Sequence, residues 1–109
     1  IREAERREDA DKEYIRTFAN RIRELFASCP PGKEAIIARH ACKKHSGRVG
    51  RSSSAKSLDA KAVTLAVAAH IRHTMTNYDE LLTTGTQRSL ARQSVYDKVQ
   101  QILEKWRGA

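Results

Sequence analysis

Apolar residues near the start of the chain recur at helical spacing. Between residues 14 and 26 they fall on one face of an α-helix, and they are Tyr14, Ile15, Phe18, Ile22, Leu25 and Phe26. Two prolines, Pro30 and Pro31, interrupt this pattern. Because proline lacks the N–H that a helix interior needs, we expect the first amphipathic helix to end before them.

A second helical pattern follows the prolines. Pro31 suits the first position of a helix, where an N–H has no partner in any case. Ser46-Gly47 is a typical helix stop. The sequence therefore predicts a helix from Pro31 to about Lys44 or His45. Its predicted apolar stripe comprises Ile36, Ile37, His40 and Ala41.

The third pattern is the most apolar part of the chain. Ser57 or Asp59 is predicted to cap its N-terminus. Residues 62–69 are apolar nearly all round, which predicts a central helix with several neighbours. One face of this helix continues through Val63, Val67, Ile71, Met75 and Tyr78. Thr76-Asn77-Tyr78-Asp79 has capping-box spacing, so we expect the helix to bend or restart there, and Gly85 to close the segment.

A final helix is predicted from about Gln87 to Arg107. Its apolar side comprises Val95, Val99, Ile102, Leu103 and Trp106. The chain shows no sustained period-two alternation of the kind that predicts strands. We therefore expect an all-α fold, a small bundle of about four helices with a basic, Gly/Ser-rich loop between the second and third.

Length and composition favour one domain. The chain has 109 residues and a formal charge of +8, and single domains of this size are common. Residues 1–12 alternate in charge without an apolar stripe, so we expect a charged leader or helix extension, followed by a single helical domain at 13–109. Two cysteines are too few for a disulfide framework, and no apolar run approaches a membrane span. The sequence therefore predicts a small, basic, soluble intracellular domain, excised from a longer protein because it begins at Ile1.

The positive charge is concentrated in one window. Residues 1–28 are neutral overall, residues 29–56 carry +6, and residues 57–109 carry +2. Clustered basic side chains, glycines and serine hydroxyls are a typical combination for holding phosphates. The predicted nucleic-acid-binding residues are Lys43, Lys44, Arg48, Arg51, Ser52, Ser53, Lys56, Arg72 and His73. The alternative is a solvated loop whose arginines bind nothing in particular.

The histidine motifs match only parts of a metal site. His40-x-Cys42-x-x-His45 and His70-x-x-His73 contain possible zinc ligands, but no C-x-x-C pair accompanies them. We therefore predict no metal and no cofactor.

The polar cluster between His70 and Asp79 has three possible roles. On a continuous helix His70, His73 and Asn77 would share one face, and Arg72, Thr76 and Asp79 another. The favoured interpretation is a helix-terminating polar network. The alternatives are nucleic-acid contact, and phosphodiester cleavage with His70 and His73 as acid and base and Arg72 stabilising the phosphorus centre. We predict no catalytic residues.

Several segments together resemble a known family. They are Ser46-Gly47-Arg48-Val49-Gly50-Arg51-Ser52, Ala69-His70-Ile71-Arg72-His73-x-x-Thr76-x-Tyr78-Asp79-x-Leu81-Leu82, Cys29-Pro30-Pro31-Gly32 and Ile102-Leu103-x-x-Trp106. Over roughly residues 14–107 the chain resembles domain-of-unknown-function family 2293, which occurs in longer fungal chains and in bacterial proteins. The resemblance implies that residues 1–12 precede the domain. It implies no activity, cofactor or catalytic set.

The first functional hypothesis is a nucleic-acid-binding module, for DNA rather than RNA. It would dock phosphates through residues 43–57 and the N-terminus of the following helix. The alternative is a protein-interaction or dimerisation module that pairs through the first helix or through residues 87–107. A lesser alternative is a phosphodiesterase that uses His70 and His73. We expect no membrane partner, and basicity together with the family's setting favours a nuclear location.

Overall fold

All the secondary structure of the described chain is helical. The computed structural model describes residues 2–44 and 58–108, and side chains for residues 11–42 and 58–108. The five described helices are α1 (Arg2–Leu25), α2 (Lys33–Lys44), α3 (Ala60–Met75), α4 (Tyr78–Thr83) and α5 (Arg88–Arg107). The all-α prediction is confirmed. The described part has five helices rather than four because the third pattern divides into α3 and α4.

The helix α3 lies at the centre of the bundle, as its sequence predicts. It packs against α1, α2, α4 and α5. Val63, Val67 and Ile71 are completely buried, whereas Leu65 on the other side of the helix is 58% exposed. Across residues 2–44 and 58–108, no helix is both long enough and apolar enough to cross a bilayer.

The connection between α1 and α2 is held by Arg23. Its guanidinium donates to the carbonyl oxygens of Ala27 at 3.2 Å, Pro30 at 3.3 Å and Cys29, and to Glu34 Oε1 at 2.5 Å. Burial alone would raise the pKa of Glu34, but hydrogen bonds from backbone N–H groups and from Arg23 hold it below its ordinary value. Arg23 therefore fixes where α2 begins.

The predicted start of α2 at Pro31 is wrong by two residues. Gly32 has a φ of +91°, in the left-handed region that a helical residue does not adopt. Its N–H donates to Glu34 Oε1 at 2.9 Å, and the N–H of Lys33 donates to the carbonyl of Pro30 at 3.1 Å. Pro31 and Gly32 thus form a turn, and the helix begins at Lys33.

The buried face of α2 is also rotated from the predicted stripe. Ile36 is 45% exposed and His40 is exposed, although both belong to that stripe. Ile37 and Ala41 are buried as predicted, and the other buried side chains of the helix are Ala38 and Cys42. The helix packs on both α1 and α3, and the small residues on this side allow the close approach of two neighbours.

The entry to α3 is fixed by a cap and by a contact to α1. Asp59 is the N-cap, and its carboxylate accepts from the N–H of Ala62 at 3.3 Å, as predicted for one of the two candidate caps. Before it, Leu58 has a φ of 57°, an uncommon conformation for a side chain of this size. Arg21 Nε donates to the carbonyl oxygen of Leu58 at 3.1 Å. Ser57, the other candidate cap, lies outside the described residues.

The predicted restart after α3 is confirmed. Thr76 has an extended backbone, and its Oγ1 accepts from the N–H of Tyr78 at 3.1 Å rather than from that of Asp79, as a capping box would require. Gly85, with a φ of +97°, ends α4 as predicted. Its N–H donates to Leu82 at 3.1 Å and that of Thr86 to Leu81 at 2.9 Å, which is the paired pattern of a Schellman motif.

The last helix spans nearly its predicted range. Near its end it contacts the connection between α1 and α2. The N–H of Ser28 donates to the carbonyl of Trp106 at 2.7 Å, and the Arg107 guanidinium lies 5.4 Å from the centre of the Phe26 ring. At the other end of the chain, the backbone of residues 2–12 continues α1. The domain boundary at residue 13 stays a prediction.

Candidate functional site

The segment that carries most of the net charge lies largely outside the described residues. This applies to Arg48, Arg51, Ser52, Ser53 and Lys56. Lys43 and Lys44 are the last two residues of α2, and their side chains are also outside the description. What the structure establishes is where the segment begins and ends: it leaves the C-terminus of α2 and returns at Leu58, the residue held by Arg21.

The described solvent side of α2 has basic side chains in the second half of the helix. Arg39 and His40 are exposed there, and Lys43, whose side chain is not described, follows Arg39 by four residues in the sequence. The helix has one carboxylate, that of Glu34, and Arg23 binds it. Among the described side chains none forms an ion pair with Arg39. Sequence reasoning left Arg39 out of the site, although its spacing of four residues from Lys43 was a usable signal.

The arginines of α1 whose side chains are described are each paired with a carboxylate, in contrast to Arg39 of α2. Arg16 pairs with Glu13 at 2.8 Å, and Arg21 pairs with Glu24 at 3.2 Å. Exposed pairs of this kind add little stability, but they cancel the local field. Among the described arginines of these two helices, Arg39 on the solvent side of α2 is therefore the one that no carboxylate neutralises.

The N-terminus of α3 is a poor place for a phosphate. A helix N-terminus attracts anions through free N–H groups and the helix dipole. Here the carboxylate of Asp59 already accepts from the N–H of Ala62 and brings its own negative charge. This arrangement disfavours the predicted use of that helix end, so contact with phosphates must depend on basic side chains.

Arg72 and His73 lie at the opposite end of α3 from Asp59. At a rise of 1.5 Å per residue the two ends are separated by about 20 Å along the helix axis. Helix α3 therefore separates Leu58 and Asp59, where the described chain resumes after the basic segment, from Arg72 and His73.

Two aromatic contacts organise the cluster around Arg72 and His73. His73 Nδ1 lies 2.6 Å from Asp79 Oδ1, and the His73 ring meets the buried Tyr78 ring edge-on at 5.3 Å. The Arg72 guanidinium lies 5.6 Å from the centre of the same ring. The predicted grouping of Asp79 with Arg72 and Thr76 is wrong, because α3 ends at Met75 and α4 turns Asp79 toward His73.

His70 is half-buried, and its two ring nitrogens are turned away from the solvent that a substrate would occupy. Both of its ring nitrogens are inaccessible to solvent and have no hydrogen-bond partner among the described residues. Burial lowers the pKa of His70, and the charges of Lys33, His40 and His73 lower it further. An acid–base pair needs both groups within reach of the substrate. The geometry therefore argues against His70 and His73 as a phosphodiesterase pair.

Acid is expected to destabilise the fold through His70. Its pKa is lower in the folded chain, so the unfolded chain binds the proton more readily. The stability that neutral His70 contributes is fully present above its unfolded-state pKa of about 6.5. It is lost as the pH falls from there toward the lower pKa of His70 in the folded chain. A His70→Leu variant should therefore lose less free energy of unfolding than the natural chain between about pH 7.5 and pH 5.5, as measured by urea titration.

The matched control for this prediction is His40→Gln. His40 is exposed and acts on His70 only through its charge, so most of the pH dependence should remain in that variant. An unchanged pH dependence in His70→Leu would show that other groups are responsible.

No metal centre forms in the described part of the chain. Neither residues 11–42 nor residues 58–108 bring together three or more His, Cys, Asp or Glu side chains that could hold an ion. Cys29 and Cys42 are both buried, and no disulfide joins them. Burial, the largest effect, raises the pKa of Cys29 above its ordinary value, which disfavours the thiolate that zinc binds. His45 lies outside the described residues.

Comparison with known proteins gives a family and no relatives of known activity. A family model described as "Uncharacterized conserved protein (DUF2293)" matches residues 21–107. No curated protein and no solved structure matches the chain.

Proposed function

The chain belongs to the DUF2293 family of uncharacterised conserved proteins, and because that membership assigns no chemistry, we propose from its own residues that it is a nucleic-acid-binding module that favours DNA. In this proposal residues 43–57 dock on the phosphate backbone. The module would act within a larger nuclear protein.

The observation that carries the proposal is the unbalanced charge of α2 and the segment after it. Residues 29–56 hold +6 of the total of +8. The acidic residue in this window, Glu34, is already bound by Arg23 from α1. Such an excess lies next to Arg39, which is exposed and has no ion-pair partner among the described side chains. Together they create a positive field that attracts polyanions.

Binding in this mode depends on charge more than on base sequence. Lys43, Lys44, Arg48, Arg51 and Lys56 would each neutralise one phosphate, with Ser52 and Ser53 donating hydrogen bonds. Arg39 extends the same surface along α2. Phosphate contacts position a protein on the duplex but carry no sequence information, so we expect weak sequence selectivity.

The test is a titration of the full 109-residue chain onto labelled duplex DNA, single-stranded DNA and RNA at several salt concentrations. About five phosphate contacts should give a slope of log Kd against log salt on the order of 4 to 5. Heparin serves as the polyanion control, because a basic chain binds any dense negative charge. Equal, weak binding to all four polyanions would contradict the proposal.

The exposed apolar side chains favour a second candidate, a protein-interaction or dimerisation module. Leu90 and Tyr96 on α5 are 56% and 57% exposed, and Leu65 on α3 is 58% exposed. Association through such residues should persist at high salt, whereas phosphate contacts should not. Sedimentation at increasing protein concentration in low and high salt therefore distinguishes the two candidates.

A further inference from the structure

The exposed face of α2 combines one apolar side chain with two that carry nitrogen donors. Ile36 is 45% exposed, and one helical turn later Arg39 and His40 are exposed as well. Residues three and four positions along a helix lie on either side of the first one. Ile36 is therefore flanked by a guanidinium and an imidazole on a face that stays open to solvent.

Phosphate groups alone do not account for this combination. A phosphate offers charge and hydrogen-bond acceptors, but it gives an isoleucine side chain no apolar surface to cover. The major groove of duplex DNA offers both kinds of partner. Guanine presents its N7 and O6 acceptors there, and thymine presents its C5 methyl group. The exposed face of α2 therefore matches the floor of this groove better than a row of phosphates.

The charge and the size of α2 also fit duplex DNA. Residues 29–56 carry +6, and the carboxylate of Glu34 is already bound by Arg23, so the field around α2 attracts a polyanion. With its side chains an α-helix is about 10–12 Å across, and the major groove is about 12 Å wide. The major groove of double-stranded RNA is too deep and narrow for side chains to read. This difference favours DNA as the partner.

We infer, building on the proposed nucleic-acid function, that the exposed face of α2 lies in the major groove of duplex DNA. Arg39 donates to the N7 and O6 atoms of a guanine, and Ile36 contacts the methyl group of a thymine. His40 borders this contact on the other side of Ile36. Two base contacts add a modest sequence preference to binding that charge dominates, which is compatible with weak overall selectivity.

The experiment measures the affinity of the full chain for three labelled duplexes of one sequence by fluorescence anisotropy. One duplex is unmodified, one has deoxyuridine for every thymine, and one has 7-deazaguanine for every guanine. Deoxyuridine lacks only the thymine methyl group and should weaken binding about fourfold, the effect of one buried carbon. The 7-deazaguanine duplex lacks the N7 acceptors and should bind roughly tenfold more weakly, because one charge-assisted hydrogen bond is lost.

Two variants of α2 identify which side chain makes each contact. Ile36→Ala should bind the thymine and deoxyuridine duplexes equally, because the side chain that contacts the methyl group is gone. Arg39→Gln should bind the guanine and 7-deazaguanine duplexes equally, whatever the loss of charge does to both affinities. Both side chains are exposed, so these changes should leave the fold intact, which circular dichroism checks.

The matched controls carry the same changes on other helices. Leu65→Ala on α3 truncates another exposed aliphatic side chain, and Arg88→Gln on α5 removes the same charge. Both should keep the discrimination of the natural chain. Equal affinity of the natural chain for the three duplexes, or unchanged discrimination in the α2 variants, would overturn the inference and leave charge-driven binding intact. Binding to no duplex at all would overturn the proposed function as well.

Discussion

Reversal of two charges in the basic segment is expected to abolish most nucleic-acid binding. An Arg48→Glu/Arg51→Glu variant removes two phosphate contacts and adds two repulsive charges. The slope of log Kd against log salt should therefore fall by about 2 or more. The described core contains neither residue, so thermal unfolding should be unchanged. Fluorescence anisotropy with labelled duplex DNA measures the affinity at each salt concentration.

The matched control reverses Lys98 and Lys105 instead. Both are exposed on α5, and each double variant lowers the formal charge from +8 to +4. If location matters, the α5 variant retains most of the binding. An equal loss in both variants would mean that DNA responds to net charge alone. Unchanged binding in Arg48→Glu/Arg51→Glu would remove the basic segment from the site.

The second large effect concerns the central helix. Ile71 is completely buried in α3, the helix that packs on the other four described helices. Truncation in Ile71→Ala removes three carbons and leaves a cavity that the surrounding helices fill only partly. Such changes cost about 2–5 kcal/mol, a large part of the 5–15 kcal/mol that holds a typical domain folded. Urea or thermal denaturation measures this loss.

Leu65→Ala is the control on the same helix. Leu65 is 58% exposed, so its truncation should change the free energy of unfolding by only about 0.5 kcal/mol. The comparison separates burial from helix propensity, which improves in both variants because alanine is the best helix former. Similar losses at both positions would contradict the assignment of α3 as the buried centre.

The helices and their ends could largely be predicted, because the signals are local. The apolar face of Val63, Val67 and Ile71 depends only on helical periodicity. The stop at Gly85 depends on a backbone conformation that glycine adopts without strain. Asp59 is a typical capping residue at the position where its helix begins.

The features that the sequence did not reveal depend on contacts between distant residues. The start of α2 is set by Arg23, which binds Glu34 eleven positions later. The pairing of His73 with Asp79 requires the break between α3 and α4 and could not follow from one continuous helix. The sequence analysis groups Arg72 and His73 with the basic segment. The length of α3 places them about 20 Å along the helix axis from Asp59, which a local pattern does not show.

The candidate site was predictable mainly in its charge. The positive charge of residues 29–56 can be counted from the sequence. The spacing of four residues between Arg39 and Lys43 also indicates that both lie on one face of a helix. The sequence also left open which side chain occupies the N-terminus of α3, since Ser57 and Asp59 are both typical capping residues.

Because α5 is hydrogen-bonded to the connection between α1 and α2, its tryptophan can report the order in which parts of the chain fold. Trp106 is the one tryptophan in the sequence, is 3% exposed, and accepts a hydrogen bond from Ser28, 78 positions earlier. Contacts that close such long loops carry the greatest entropic cost in a folding reaction. In a stopped-flow experiment, intrinsic fluorescence would therefore follow the joining of the two halves of the chain, while far-ultraviolet circular dichroism follows the formation of the individual helices.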